Sequence, residues 1–404
     1  MALVVQKYGG TSVADPERIR EVAENVVRAR RHGDVVVVVS AMGKETDELY
    51  YLASQVSKKP PGREMDMLIT AGERKATALV VMALEEMGCP AASFTGSQAG
   101  FLTDTDHQNA KILEVRPARL QEAVANGRVP VVGGAQGVST DNDVTFLGRG
   151  GSDTTAVALA AALKADSCEL YTDVSGVFTA DPRLVPSARR MNRLSFDEML
   201  EMTATGCPKP AMRSVEFART HGVQLHVRSS FTWEPGTWVT EEDPNMEQAI
   251  ITAVTHDLSE AKVTVNSVPD APGIAARLFR ALADNSVNVD MIVQNVSHDG
   301  TTDISFTTPL DDAQVASSVA ESVAVDIGGG TVAVDTQIGR VSLIGAGMKT
   351  HPGVAATMFE TLAHNDINIE MISTSAIRIS CVVREDQVEN AVVKLHEAFK
   401  LDVA

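Results

Sequence analysis

The first 245 or so residues alternate short β-branched runs with longer amphipathic stretches, the pattern of helices laid over a mostly parallel sheet. Ala2 to Gln6 and Val35 to Val39 are runs of consecutive apolar residues rather than alternating ones, which predicts strands buried on both faces. Between them, Asp15-Pro16-Glu17 supplies an N-cap, a proline at the first helical position and an acidic first turn, and Gly33 ends the helix. The pattern continues with a long helix around Glu64 to Met87, strands near Ala92 to Phe94 and Val129 to Val132, a helix from Asp153 to Lys164 and a strand at Cys168 to Tyr171. The fold class this predicts is α/β.

From Phe231 to Asn245 the texture changes to Trp, Pro, Gly and acidic residues, which predicts a connector. Beyond it the sequence repeats itself. Asp270-Ala271-Pro272-Gly273, Phe279 and Asn288-Val289-Asp290-Met291 recur as Thr350-His351-Pro352-Gly353, Phe359 and Asn368-Ile369-Glu370-Met371, at an offset of 80 residues. Each copy reads as a strand, a Pro-Gly opening to a helix, a turn carrying Asn, and two further strands, the last at Asp303 to Thr307 and at Ile377 to Val383. The expected boundaries are 1–230 for the α/β domain, 231–248 for the linker, and 249–335 and 336–404 for two α+β modules.

Composition narrows the class. The 404 residues are enough for two or three domains at roughly 150 residues each. Hydrophobic residues make up 44% and charged residues 22%, too apolar for a disordered chain. Thirty-five Lys plus Arg against 53 Asp plus Glu leave a net charge of −18, which opposes a phosphate backbone and argues against nucleic acid as a partner. Residues 255–404 hold 20 acidic and 9 basic side chains, a balance of −11, so most of that charge lies on the repeats as a solvated acidic surface. Cys89, Cys168, Cys207 and Cys381 show no CxxC spacing and suggest neither a zinc site nor a disulfide framework. No apolar run approaches the ~20 residues of a membrane span, and the N-terminus lacks a basic region followed by an apolar stretch. The expectation is a cytoplasmic protein that engages neither membrane nor nucleic acid.

Three stretches carry candidate chemistry. Lys7-Tyr8-Gly9-Gly10-Thr11-Ser12 lies where the first strand ends and the chain turns toward the helix at Asp15. Paired glycines allow positive φ and close backbone approach, so their N–H groups can face a phosphate beside Lys7; a plain Gly-Gly turn is the alternative. Leu147-Gly148-Arg149-Gly150-Gly151-Ser152-Asp153-Thr154-Thr155 feeds a small-residue helix, and Arg149 offers a planar fork for a carboxylate or phosphate. Asp153 reads either as a functional carboxylate or as an N-cap. Tyr171 to Arg183 follows a strand as a long ordered loop, either surface structure or a seat for a ribose or purine. Ser40, Thr46 and Glu73 are placed at strand ends or in following turns, and ligands of open α/β sheets bind beyond the carboxyl ends of strands. Walker A, GxSxG and HExxH motifs are missing, and His107 and His221 read as surface or core residues.

Taken together, KYGGTS, TAGER, SFTGSQAG, LGRGGSDTTA, YTDVSGVFTADPR and the two Pro-Gly modules resemble the aspartate kinase family, in its monofunctional form with two C-terminal ACT modules, over essentially the whole chain. The resemblance implies an amino-acid-kinase fold, a mostly parallel sheet with helices on both faces, followed by a tandem ACT (ferredoxin-like) regulatory region. It implies ATP and Mg2+ as co-substrates and phosphorylation of the side-chain carboxylate of L-aspartate to 4-phospho-L-aspartate, the step that opens lysine, threonine and methionine synthesis. Feedback by lysine, threonine or both, a homo-oligomer built through ACT modules, and a shorter chain from an internal start near Met246 are further implications.

An aspartate side chain, with a pKa of ~3.9, is already ionised at pH 7, so charge repulsion from the triphosphate is the obstacle rather than deprotonation. Lys7 is therefore assigned to the transferring phosphoryl oxygens, with Tyr8, Gly9 and Gly10 around the nucleotide. By resemblance Asp153 is the catalytic aspartate, read physically as an organiser of Lys7 or Mg2+. Arg149 and Glu73 match the partners of the substrate's α-carboxylate and α-ammonium, and Ser40, Thr46, Gly150, Gly151 and Ser152 complete the substrate set. Thr172, Asp173, Phe178, Asp181, Pro182 and Arg183 match the nucleotide-binding segment, joined by Lys209. Asp270, Pro272, Gly273, Asn288, Asp290, Gln294, Asn368 and Ile369 match effector-binding positions, and no residue is assigned as a dedicated metal ligand.

The chain departs from the family pattern at Gly206-Cys207-Pro208-Lys209-Pro210, where proline stands in place of a nucleotide-contacting lysine and two N–H donors are lost. Lys75 replaces a usual apolar residue, Phe178 a common Tyr, and Ala376 a frequent Glu. Two other readings stay open: an amino-acid kinase for a related acidic amino acid, and a catalytically silent amino-acid sensor.

Overall fold

The computed structural model describes residues 2–241, 249–295 and 300–403, so the expected internal start at Met246 lies outside the described residues. The chain forms two compact units. Met1–Phe178, Arg190–Thr203 and Pro208–Met246 make the first; Thr179–Arg189, Ala204–Cys207 and Glu247–Ala404 make the second.

In the first unit, β1 (Leu3–Tyr8), α1 (Pro16–Arg30) and β2 (Asp34–Val39) are the strand, helix, strand opening that the pattern predicts. Asp15 caps α1, its carboxylate accepting the Arg18 N–H at 2.9 Å. Next come α2 (Glu45–Val56), the long α3 (Gly62–Glu86) and β3 (Ala91–Phe94). β4 (Phe101–Thr103), β5 (Ile112–Val115), α4 (Ala118–Ala125), β6 (Val129–Gly133), β7 (Gln136–Ser139) and β8 (Val144–Phe146) follow. The unit continues with α5 (Gly151–Leu163), β9 (Ser167–Thr172), β10 (Arg193–Ser195), α6 (Phe196–Ala204), α7 (Met212–His221), β11 (Leu225–Ser229) and β12 (Thr237–Thr240).

Eight of these strands form one sheet in the order β10-β12-β11-β9-β1-β2-β6-β3, parallel from β11 through β3. Its register aligns Ser229 with Thr172, Tyr171 with Tyr8, Tyr8 with Val39 and Val39 with Gly133, so five strands end together at one edge. Val35, Val37, Val39, Val129 and Val131 pack with Ile19, Val22 and Val26 of α1 and Val80 and Leu84 of α3. All ten residues from Gly151 to Ala160 are buried, as befits a helix that is apolar around most of its circumference.

Two elements differ from expectation. The stretch read as a linker contains β12, which pairs with β11 and β10. Pro235 and Gly236 (φ +77°) form only the turn before it; a Cβ at Gly236 would stand 2.4 Å from the Val227 carbonyl oxygen. The second sheet of this unit, β5-β4-β7-β8, has strands of three or four residues, too short for a readable period.

The second unit contains β13 (Ala253–Asp257), β14 (Glu260–Pro269), α8 (Ile274–Asp284), β15 (Ile292–Gln294), β16 (Thr301–Pro309), α9 (Ala313–Ile327) and β17 (Val332–Asp335). The second copy supplies β18 (Ile338–Ile344), α10 (Val354–His364), β19 (Met371–Thr374), β20 (Arg378–Arg384) and α11 (Val388–Ala398). Two antiparallel sheets result, β15-β16-β14-β17 and β13-β18-β20-β19. β14 pairs with β17 and β18 pairs with β13, so the strand that opens residues 249–335 joins the sheet of the second copy. The 80-residue offset carries β13 (253–257) onto 333–337, the place of β17, so the repeat marks the two strands as counterparts without showing which sheet each joins. Gly273 (φ +95°) and Gly353 (φ +105°), the glycines of the two Pro-Gly openings, start α8 and α10 from a conformation that other residues rarely adopt. Among the described residues no helix is long and apolar enough to cross a membrane.

Candidate active site

Side chains alternate along β1, so Lys7 and Tyr8 face opposite sides of the sheet. Lys7 meets α5: its ammonium lies 2.6 Å from Asp153 Oδ1, and both side chains are almost wholly buried. The other oxygen, Asp153 Oδ2, accepts the Ala211 N–H at 3.1 Å. Burial pushes the Asp153 carboxyl up, but the Lys7 ammonium, the Lys7 hydrogen bond, the charge of Lys209 and the Ala211 N–H together hold it below its ordinary range. Asp153 is not the N-cap of α5. That place belongs to Gly150 in a left-handed conformation (φ +75°), which leaves the Asp153 side chain for Lys7.

Tyr8, expected near the nucleotide, is a core residue. Its ring stacks on Tyr171 with centroids 4.7 Å apart, and its hydroxyl donates to Gln6 Oε1. The glycine pair also works differently from expectation: Gly9 has φ −71°, and its N–H donates to the Tyr171 carbonyl at 3.3 Å instead of facing outward. Of the two, Gly10 is the position that requires smallness. A Cβ on Gly10 would lie 2.9 Å from both the Ala41 and the Gly43 carbonyl oxygens, and one on Gly9 3.5 Å from Lys7 Nζ. Ser40 joins the same junction, its N–H donating to the Tyr8 carbonyl at 3.1 Å.

Glu73, expected at a strand end or in a following turn, instead lies in the middle of α3, 3% exposed, where its Oε2 has no hydrogen-bond partner. Burial raises it from 4.5 to about 7; backbone hydrogen bonds, including one from Ala41, and Arg74 oppose the shift, and Glu45 adds to it. Lys75, the departure noted in the sequence, pairs with Glu45 at 2.6 Å and so supplies a cation beside that second carboxylate. Arg149 is on the surface, 78% exposed, with its guanidinium 3.0 Å from Asp47. Asp47 follows Thr46 in the first turn of α2, and the pair, exposed on both sides, is a weak surface contact between the Arg149 loop and that helix. Ser152 sits against Gly134, where a Cβ would come within 2.5 Å of the Ser152 hydroxyl, and Gly151 leaves no room for a Cβ between Ala135 and Leu147.

Thr172 ends β9, donates to Asp173 Oδ1 at 2.9 Å and accepts the Ser230 N–H through its carbonyl. Phe178 is half-buried and bridges to Arg190. Asp181, Pro182 and Arg183 belong to the second unit, where Asp181 and Arg183 pair at 2.6 Å; the Arg183 hydrogen bond holds the Asp181 carboxyl below the usual range. Lys209 is exposed in the first unit. Residues that sequence reasoning missed are Ala211, Asp47 and Thr155, whose hydroxyl accepts the Ala135 N–H at 2.9 Å. Their partners are 20 to 102 residues away, a separation that no local motif records.

In the second unit Asp270, Pro272, Gly273, Asn288, Gln294 and Asn368 are exposed, and Ile369 packs on the core of its module. Asp290 makes a contact that the sequence did not record. Rather than standing open to a ligand's ammonium, it pairs with Arg340, a guanidinium only 2% exposed that also holds Glu260 at 3.0 Å and Asp257 at 3.5 Å. A buried cation needs such partners.

A parallel sheet whose aligned strand ends carry a buried Lys–Asp pair between two glycine loops, joined in one chain to a doubled α+β module, defines a small-molecule kinase with a regulatory region. The amino acid kinase family model matches residues 2–229, and ACT domain models match residues 263–325 and 341–399. The aspartokinase of Mycolicibacterium smegmatis is 58% identical over 407 residues, covering 99% of this chain and 97% of its own. E. coli aspartokinase III in complex with aspartate and ADP (R-state) matches the fold with a TM-score of 0.84 at 24% identity, over 98% of this chain and 99% of that one. The same enzyme in complex with lysine and aspartate (T-state) gives 0.75 at 25%, with the same coverage. The chain belongs to the aspartokinase family and is a phosphotransferase, an aspartate kinase.

Proposed function

We propose that the chain transfers the terminal phosphoryl group of ATP to the side-chain carboxylate of L-aspartate, yielding 4-phospho-L-aspartate, and that lysine, threonine or both regulate it. The observation that carries this reading is the buried Lys7–Asp153 pair at the aligned strand ends, with the unpartnered Glu73 oxygen on α3. Lys7 neutralises charge on the transferring phosphoryl oxygens, and Asp153 fixes where the ammonium stands. Glu73 takes the substrate's α-ammonium, Arg149 its α-carboxylate, and Thr172, Asp173 and Phe178 the nucleotide. The silent-sensor reading loses support from Lys209, whose charge still acts on Asp153 despite the flanking prolines.

Among the described residues no three His, Cys, Asp or Glu side chains cluster as a metal cage. Mg2+ bound with nucleotide phosphates needs only one or two protein carboxylates, and Asp153 fits that part. Bound there, the ion would supply neutralisation of phosphate charge.

In this reading residues 1–230 carry catalysis and 249–404 regulation, in the cytoplasm. The lysine complex of the E. coli relative supports lysine as an effector. Copies associate through the regulatory modules, where the edge strands β15 and β19 expose Ile292 and Ile372, 53% and 44% accessible, at equivalent places in the repeat. Trapping the acyl phosphate with hydroxylamine, in the presence of ATP, Mg2+ and either L-aspartate or L-glutamate, tests the reading. Hydroxamate with aspartate, reduced by lysine or threonine, is expected; hydroxamate with glutamate alone, or none, overturns it.

A further inference from the structure

Asp66 lies seven residues before Glu73 on α3, two helical turns along the same buried face, and is itself wholly buried. Its carboxylate accepts His107 Nδ1–H at 2.7 Å and the Gln108 N–H at 3.0 Å, and it is also hydrogen-bonded by the Phe146 backbone. Those donors come from two segments that hold each other. The Ala110 N–H donates to the Phe146 carbonyl at 3.0 Å, and Arg213 bridges them by donating to the Leu147 and Ala110 carbonyls, both at 2.9 Å. Gly148, φ +88°, rests on the same turn: a Cβ there would stand 3.2 Å from the Gln108 carbonyl oxygen. Gln108 itself adopts φ +68°, a strained conformation for a residue with a side chain, and its N–H is on Asp66. The next residue after Gly148 is Arg149.

We infer that Asp66 is a positioning residue for substrate recognition, fixing the loop that carries Arg149 to the helix that carries Glu73. Resting on the proposed roles of those two residues, the inference makes Asp66 the fixed spacer between the two charges that grip an amino acid. A buried carboxylate is costly to desolvate even when hydrogen-bonded, and an apolar residue would serve packing alone better. Arg149 needs this support because its side chain is on the surface, where its ion pair with Asp47 contributes little rigidity.

The test is steady-state kinetics of the full chain with Asp66→Asn and, as a second variant closer to the surface, His107→Ala, each alone and combined with Arg149→Ala. Asp66→Asn is expected to raise KM for L-aspartate about tenfold, inside the roughly hundredfold that a 1 Å misplacement can cost. KM for ATP is unchanged, and adding Asp66→Asn to Arg149→Ala raises the aspartate KM no further. A merely structural role would lower thermal stability and move both KM values together, or leave the two mutations additive, and either result overturns the inference. If Asp66→Asn does not fold, the same comparison with His107→Ala decides. Should Arg149→Ala alone leave the aspartate KM unchanged, the role of Arg149 fails; should it raise that KM while neither the Asp66 nor the His107 variant does, only the positioning role fails.

Discussion

Asp290 and Glu370 occupy the same place in the two copies of the repeat, 80 residues apart, and each holds a cation contributed by the other copy: Arg340 of β18 for Asp290, Lys262 of β14 for Glu370. Glu370 also takes Arg384 at 3.1 Å, which reaches Asp335 at 2.6 Å. The two contacts are reciprocal in sequence but unequal in burial, since the Arg340 side chain is 2% exposed and Lys262 20%.

Their loss should therefore differ. Arg340→Met leaves Glu260, Asp257 and Asp290 without their shared cation and is expected to destabilise the second unit by about 3–5 kcal/mol, the cost of breaking a buried pair from one side. Lys262→Met, at a wetter site with Arg384 still on Glu370, should cost about 1 kcal/mol or less. Urea denaturation followed by a probe in the second unit measures both; equal losses would show that the asymmetry has no energetic meaning.

Glu73 ties stability and binding to pH with opposite signs. Its carboxyl is raised from 4.5 to about 7 by burial, so the stability it contributes is present while it is protonated and is lost as pH rises through that window. Binding of the substrate ammonium needs the ionised form and strengthens over the same range. Glu73→Gln should remove the pH-dependent loss, up to about 3–4 kcal/mol at roughly 1.4 kcal/mol per unit. It should also weaken aspartate binding at pH 8 by roughly 2 kcal/mol, or ~30-fold. Thermal denaturation of the ligand-free chain at pH 5 and 8, with calorimetric titration of aspartate, checks both signs.

Gly10→Ala places a methyl group 2.9 Å from the Ala41 and Gly43 carbonyl oxygens, in a junction closed by the Gly43 N–H donating to the Gly10 carbonyl. Backbone cannot rotate away as a side chain can. The expected cost is about 1–3 kcal/mol of stability with a fall in kcat, whereas Gly127→Ala, where a Cβ meets nothing, acts only through its positive φ and leaves kcat unchanged. Melting temperatures and turnover of the two variants give the comparison.

The buried strands and long helices were legible because burial on both faces and a capped, periodic helix leave local marks: Val35 to Val39 became β2 and Asp15-Pro16 the start of α1. Lys7 was legible as a charge beside a glycine turn at a strand end, and Glu73 and Asp153 through the motifs that resemble the family, whereas the burial of all three shows only in the fold. The exchange of β13 into the second sheet was not, nor was the Asp47 partner of Arg149, because both depend on contacts between distant stretches. At Asp290 the repeat pointed to a ligand-binding turn, while its partner, Arg340, is identified by burial, which sequence spacing does not encode.

The central claim, that Lys7 held by Asp153 neutralises the transferring phosphoryl group, is tested most directly by the kcat of purified Lys7→Ala with saturating ATP and L-aspartate. The account predicts a loss of more than roughly a hundredfold, the scale of one preorganised charge contact, in a chain that remains folded with Asp153 still on the Ala211 N–H. Turnover close to that of the unmodified protein would contradict it.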